Sequence, residues 1–134
     1  FITTFSGGTG ASLITARDDT STYNGNCYTD NAIGATITVD LKNKKLTSSK
    51  YTIQMSDNYL LRSWDFDASN DNLTWTTLDS PRNTNYQPYE WVVRDIPATM
   101  PYKYFRIVQQ GDDSLGTQYI CIAELELYGI LSYE

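Results

Sequence analysis

Apolar and polar side chains take turns along most of this chain. Tyr51-Thr52-Ile53-Gln54-Met55 and Trp64-Asp65-Phe66-Asp67-Ala68 alternate residue by residue. Thr36-Ile37-Thr38-Val39-Asp40-Leu41 does the same, with Ile37, Val39 and Leu41 on one side. A period of two sends successive side chains to opposite faces of an extended strand, here one toward a core and one toward water. Trp75-Thr76-Thr77-Leu78 and Trp91-Val92-Val93 are shorter runs of the same kind, and Tyr104 to Val108 aligns Phe105 with Ile107. Ile120 to Tyr128 reads as a closing strand with Cys121, Ala123, Leu125 and Leu127 inward and Glu124 and Glu126 outward. Ser12 to Ala16 is a weaker early strand. No window of about a dozen residues carries the 3.6-residue apolar period of a helix. Asn43-Lys44-Lys45, Asn70-Asp71-Asn72, Asp95-Ile96-Pro97 and Gly111-Asp112-Asp113 are turn signals. About eight short strands at this spacing predict an all-β jelly-roll sandwich of antiparallel strands, with helix below about a tenth of the chain.

Strand parity then sorts the connections. If consecutive strands run antiparallel, successive loops alternate between the two ends of the sandwich. Tyr23–Gly34, Asp57–Arg62, Ser80–Tyr89 and Gln109–Gln118 fall at one end, and the tighter turns fall mostly at the other. Hairpins close with two to five residues, so the extra length at one end points to contact rather than closure.

Composition narrows the chemistry. The 134 residues are 40% hydrophobic and 19% charged, which fits one globular domain over 1–134 with a core of its own. No stretch approaches the roughly 20 apolar residues of a membrane span. The chain opens on Phe1 without a signal-peptide pattern and reads as a piece of a larger protein. Ten basic residues face 16 acidic ones, net −6, and the only basic cluster is Lys42, Lys44 and Lys45. That composition argues against nucleic acid as a partner. There is no His, which removes His-based acid–base catalysis and His zinc ligands. Two Cys, Cys27 and Cys121, cannot build a Cys-only zinc site; Cys121 in its apolar run reads as a buried hydrophobe, with a disulfide as the alternative. The expectation is no enzyme, no cofactor and no metal.

The segment Leu61-Arg62-Ser63-Trp64-Asp65-Phe66-Asp67-Ala68-Ser69-Asn70-Asp71-Asn72-Leu73-Thr74-Trp75 resembles the discoidin, or coagulation-factor type C, domain. Val39-Asp40-Leu41, Tyr104-Phe105-Arg106-Ile107 and Ala123-Glu124-Leu125-Glu126-Leu127-Tyr128-Gly129 resemble further signatures of that family. Arg62-Ser63-Trp64 and Gln109-Gln110-Gly111 to Gly116 look most like the branch attached to BTB proteins and HECT-type ubiquitin ligases. Asn72 stands where the family has a turn glycine, which Asn replaces well because it reaches the left-handed region. The terminal cysteine pair of secreted members is absent. The resemblance implies a galactose-binding-like jelly roll, a non-catalytic role, further domains in a parent protein and ligands held by the long loops. It leans toward an intracellular setting, with the compartment left open.

Within those loops Tyr23, Asn24, Tyr59, Arg62, Arg82, Asn85, Tyr86 and Tyr89 combine rigid aromatics with directed hydrogen bonding, as paratopes do. Asp112 and Asp113 add an acidic loop. Arg82, Tyr86 and Tyr89 are the expected centre, with Tyr86 and Tyr89 flanking Gln87-Pro88. Trp64, Phe66 and Trp75 are assigned to the core rather than to a sugar platform, and Asp65 and Asp67 to a solvated strand face rather than a catalytic pair. Some relatives hold calcium; Asp30 and Glu124 are the positions to check for it. Asn72-Leu73-Thr74 is a glycosylation sequon or simply the family's turn. The reading is a recognition module for a protein segment or glycan. A secreted carbohydrate- or surface-binding adhesin domain and a structural subunit of an assembly are the alternatives.

Overall fold

The computed structural model describes residues 2–5, 29, 31–97 and 100–134. Eight strands form two antiparallel sheets. They are β1 (Ile2–Phe5), β2 (Thr36–Asp40), β3 (Lys44–Met55), β4 (Trp64–Ser69), β5 (Thr76–Asp79), β6 (Trp91–Asp95), β7 (Tyr104–Gln109) and β8 (Ile122–Tyr133). One sheet has the order β1-β2-β7-β4-β5 and the other β6-β3-β8. Among the described residues there is no helix, as the alternation requires. The expected strand at Ser12 to Ala16 lies outside the described residues, and β1 was not foreseen.

The core lies between the sheets. Ile37, Val39, Phe66, Ala68, Phe105 and Ile107 fill it from the five-stranded side, and Tyr51, Ile53, Met55 and Val92 from the other. Trp64 and Phe66 are core residues, as their parity predicts. Phe66 stacks on Tyr51 with centroids 3.9 Å apart and on Phe105 at 5.7 Å. The Tyr51–Phe66 pair joins the two sheets and the Phe66–Phe105 pair lies within one, each adding about 1 kcal/mol beyond area burial.

Strict alternation fails at three bulges. On β8, Glu124 pairs with Gln54 and Ile122 with Met55, so Ala123 is one residue too many. That residue flips the parity: Ile120 and Ile122 join the core before it, and Leu125 after it. The expected inward set of Cys121, Ala123, Leu125 and Leu127 is therefore correct only from Leu125 onward. On β3, Ser49 is the extra residue between Ser48 and Lys50, which lets both Leu46 and Tyr51 reach the core. On β5, Leu78 is extra, and Asp79 is brought opposite Phe66.

Three further expectations are corrected. Trp75 precedes β5 and is only half-buried, on the outer face of the five-stranded sheet, where the Arg106 guanidinium lies 4.0 Å from its ring centroid. Asp67 is buried rather than solvated, held by Arg106 Nε at 2.9 Å and Thr77 Oγ1 at 2.8 Å. Thr52 and Gln54, the polar face of β3, are also buried, and donate to Glu126 Oε1 and the Tyr89 carbonyl.

Beyond the Ser49 bulge, Lys44–Ser48 and Gly129–Tyr133 continue as a two-stranded ribbon with exposed Ile130 and Tyr133. Gly129 sits at φ +155°, and a Cβ there would lie 2.0 Å from the Thr47 carbonyl oxygen. Gly129→Ala is expected to fray this ribbon while costing only about 1–2 kcal/mol globally, because an exposed end can part without emptying the core. Hydrogen exchange checks this: protection falls at Lys45, Thr47, Ile130 and Ser132 but not at Ile53 or Ile107, nor at Leu46, whose N–H donates to Tyr102 O at 2.8 Å.

Candidate functional site

The long connections meet at one end, as parity predicts for the described loops, and backbone hydrogen bonds tie them into a continuous rim. Trp64 N, at the start of β4, donates to Pro81 O (3.1 Å), and the β3–β4 loop accepts at Arg62 O from Thr84 N (2.9 Å). Tyr89 N donates to Ser56 O at 3.1 Å, and Ser114 N to Leu60 O at 3.0 Å. Gln110 N reaches Ser63 O at 3.0 Å, Gly34 N reaches Gln109 O at 2.9 Å and Ala32 N reaches Gln118 O at 3.1 Å. The short turns gather at the other end, where Leu41 N donates to Lys103 O (3.1 Å) and Asn70 Nδ2 to Pro101 O (3.3 Å). Asp71 organises one of those turns. Its carboxylate accepts from Thr74 N and Leu73 N, and these bonds hold its pKa down to about 2.

The expected site residues divide into braces and presented groups. Arg82 is a brace: its Nη1 donates to Trp64 O (2.8 Å) and Pro81 O (3.0 Å), and its Nη2 pairs with Asp65 at 2.8 Å. Arg62 Nε donates to Thr84 O at 2.9 Å. Asp113, only 2% exposed, spends its carboxylate inside its own loop on Leu115 N, Thr117 N and Thr117 Oγ1. Tyr86 is half-buried against the core. Arg82 and Tyr86, two of the three residues expected at the centre, are thus partly engaged within the protein, and a joint Arg82→Ala, Tyr86→Ala change is expected to lower the thermal midpoint. Asp112 is exposed and accepts from Gln118 Nε2 at 3.2 Å. Asn85 is exposed, Tyr89 is 38% exposed, and Tyr59 is half-buried with its ring edge-on to Tyr119 at 5.5 Å. Tyr23, Asn24, Asp30 and Cys27 lie outside the described residues. Glu124 and Cys121 are both buried.

Ile33, Leu115 and Tyr119 also belong to this rim, and the sequence reading missed them as site residues. Ile33 and Leu115 are exposed apolar side chains. Tyr119 lies just before the closing strand expected from Ile120, and β8 begins at Ile122. A signal for Leu115 was present: an apolar residue in the polar loop Asp112-Asp113-Ser114-Leu115-Gly116.

Five non-glycine residues have positive φ: Lys42, Tyr59, Asn72, Asn83 and Tyr89. Asn tolerates this region, but a ring-bearing residue there costs about 1–2 kcal/mol against the ordinary backbone. Tyr59 (φ 52°) and Tyr89 (φ 62°) both stand on the rim.

The two carboxylates at the start of β4 are both engaged. Asp65 is engaged by Arg82 and by Gln110 Nε2 at 3.1 Å, and Asp67 by Arg106 and Thr77. Neither carboxylate stands open as an acid or base. Among the described residues no group of three His, Cys, Asp or Glu side chains is arranged to hold a metal ion. Among the same residues no helix is long and apolar enough to cross a membrane.

Two sheets with long loops gathered at one end define a galactose-binding-like jelly roll, the fold of carbohydrate-binding modules. The F5/8 type C domain profile matches residues 2–125, and the chain belongs to that family. It is 30% identical over 129 residues to the E3 ubiquitin-protein ligase Ufd4 of Drosophila melanogaster, covering 87% of this chain but 4% of that protein. This agrees with the ubiquitin-ligase branch that the sequence resembles. Among solved structures, CpGH89CBM32-5 from Clostridium perfringens, in complex with GalNAc-β-1,3-galactose, superposes with a TM-score of 0.66 at 13% identity, over 95% of this chain and 94% of that one. Chitosan-binding module 1 from the chitosanase/glucanase of Paenibacillus sp. IK-5 superposes with a TM-score of 0.68 at 22% identity, over 96% and 93%.

Proposed function

We propose that this domain is a non-catalytic recognition module that holds a glycan or a protein segment at the rim, as one part of a larger protein. The observation that carries the reading is the rim itself. Its described loops 56–62, 80–90 and 110–120 are longer than strand closure needs, yet together with residues 31–34 they are cross-braced by backbone hydrogen bonds. A braced rim pays little ordering entropy when a ligand arrives. Its exposed Tyr89, Asn85, Ile33 and Leu115 offer area and directed hydrogen bonds together. Structural neighbours named as carbohydrate-binding modules support a glycan. The ubiquitin-ligase relative supports the second reading, a segment of a protein brought to a larger enzyme.

The test is binding of the whole domain to a glycan array and a peptide array, followed by titration of the tightest probe. Asn85→Ala with Leu115→Ala, both exposed, is expected to weaken that probe by more than tenfold with the thermal midpoint unchanged. Leu73→Ala, on an exposed turn at the opposite end, is expected to leave affinity within twofold. Binding that survives the rim pair but is lost in Leu73→Ala would place the ligand at the wrong end for this reading.

A further inference from the structure

Tyr59 and Tyr89 occupy backbone positions that folding would fill with Gly or Asn. Both lie in the left-handed region, and both flank Ser56. Tyr89 N donates to Ser56 O at 3.1 Å, and the Tyr89 carbonyl accepts from the buried Gln54 Nε2 at 3.2 Å. On Tyr59's side, Ser56 Oγ donates to Asn58 O, Leu60 N donates to Ser114 Oγ at 2.9 Å and Ser114 N returns to Leu60 O at 3.0 Å. The strained conformation is thus fixed from both flanks by bonds that would form equally well with Gly or Asn in place. What Tyr adds is the ring. Tyr89's ring is exposed and enters no ring stacking among the described residues, so it contributes little to the core. Tyr59's ring leans on Tyr119, itself a rim residue.

We propose that Tyr59 and Tyr89 are the specificity-determining contacts of the rim, held at a cost in stability so that two phenol rings stand fixed on either side of the Ser56 turn. Strain kept at a position that a smaller residue would relieve is expected where the ring serves a ligand rather than the fold. The proposal rests on the recognition reading above and adds which residues select the ligand. The chemistry they select is an uncharged surface with an apolar face and hydroxyl or amide groups at its margin. Arg82 spends both Nη atoms on Trp64 O, Pro81 O and Asp65, and Arg62 gives its Nε to Thr84 O, so neither guanidinium is wholly open to an anion.

The experiment compares Tyr59→Asn, Tyr89→Asn, Tyr59→Phe, Tyr89→Phe and Lys42→Asn in the whole domain. Lys42 shares the positive φ but lies in the β2–β3 turn at the other end. Each Asn variant at 59 or 89 is expected to keep or raise the thermal midpoint, by up to about 3 °C, while weakening the tightest array probe more than tenfold. The Phe variants, which keep the ring and the strain, are expected to leave the midpoint unchanged and lose less than the Asn variants. Lys42→Asn is expected to leave affinity unchanged. Midpoints lowered by more than about 5 °C in Tyr59→Asn and Tyr89→Asn would show that the rings serve the fold and overturn the proposal. Full affinity in both Asn variants would overturn it while leaving the recognition reading standing. A wild-type domain that binds no probe on either array would remove both.

Discussion

Trp64→Ala is expected to lower stability by about 4–5 kcal/mol, the top of the range for emptying a buried Trp site. The indole is fully buried at the start of β4, and its Nε1 donates to the Tyr51 hydroxyl at 2.9 Å. Tyr51 in turn stacks on Phe66, so the change removes volume and loosens an aromatic pair at once. Trp75→Ala, by contrast, is expected to cost about 1 kcal/mol, the scale of a half-exposed cation–π contact with Arg106. Urea unfolding of the two variants decides the matter: the midpoint shifts several-fold more for Trp64→Ala, with unchanged slope. A larger loss for Trp75→Ala would invert the assignment of faces.

The contrast between those tryptophans marks how far the sequence is legible. Trp64 and Phe66 sit in a clean alternation, and their burial follows from it. Trp75 has the same local signature, but β5 begins one residue later, at Thr76, and the ring turns outward onto Arg106. The end at which each described loop emerges was readable from parity, because every strand pairing in the two sheets is antiparallel. Bulges were not readable. Ala123 and Ser49 look like any other small residue, yet each shifts the register by one and exchanges the faces beyond it. The site was legible as a set of loops and much less as a set of side chains. Arg82 lies 17 residues from Asp65 in sequence, so nothing local announces that its guanidinium is spent as a brace. Nor does alternation report φ, which is what sets Tyr59 and Tyr89 apart from Tyr86.

The Leu78 bulge has a consequence for pH. It places Asp79 on the inner side of β5, where its carboxylate accepts from Tyr51 Oη at 2.7 Å and from Arg94 Nε at 2.8 Å and Nη2 at 3.0 Å. Arg94 lies on β6, so this cluster joins the edge strands of the two sheets through side chains. Burial works to raise the Asp79 pKa, but the hydrogen bonds from Arg94 and Tyr51 outweigh it and hold the carboxyl below its ordinary value. Burial first, and then the hydrogen bond and charge of Asp79, push the Tyr51 hydroxyl well above its ordinary range. The signs follow from which state binds the proton. A carboxyl depressed in the fold stabilises above its unfolded pKa of 3.8 and loses that contribution as pH falls below it. A phenol raised in the fold stays protonated while the unfolded chain ionises, so stability falls as pH rises past 10.0. Asp79→Ala is expected to cost about 2–3 kcal/mol at pH 7, nearer to lost charged hydrogen bonds than to a fully buried ion pair, because Arg94 is one-third exposed. Its deficit should shrink as pH drops below about 4, where the unfolded chain's carboxyl takes up a proton that the depressed native carboxyl does not. Tyr51→Phe, which keeps the stacked ring, should flatten the decline above pH 10. Urea midpoints measured from pH 3 to 11 on the three proteins check both limbs. An Asp79→Ala curve parallel to the wild type across the acid range would mean that the cluster carries no charge-dependent stability.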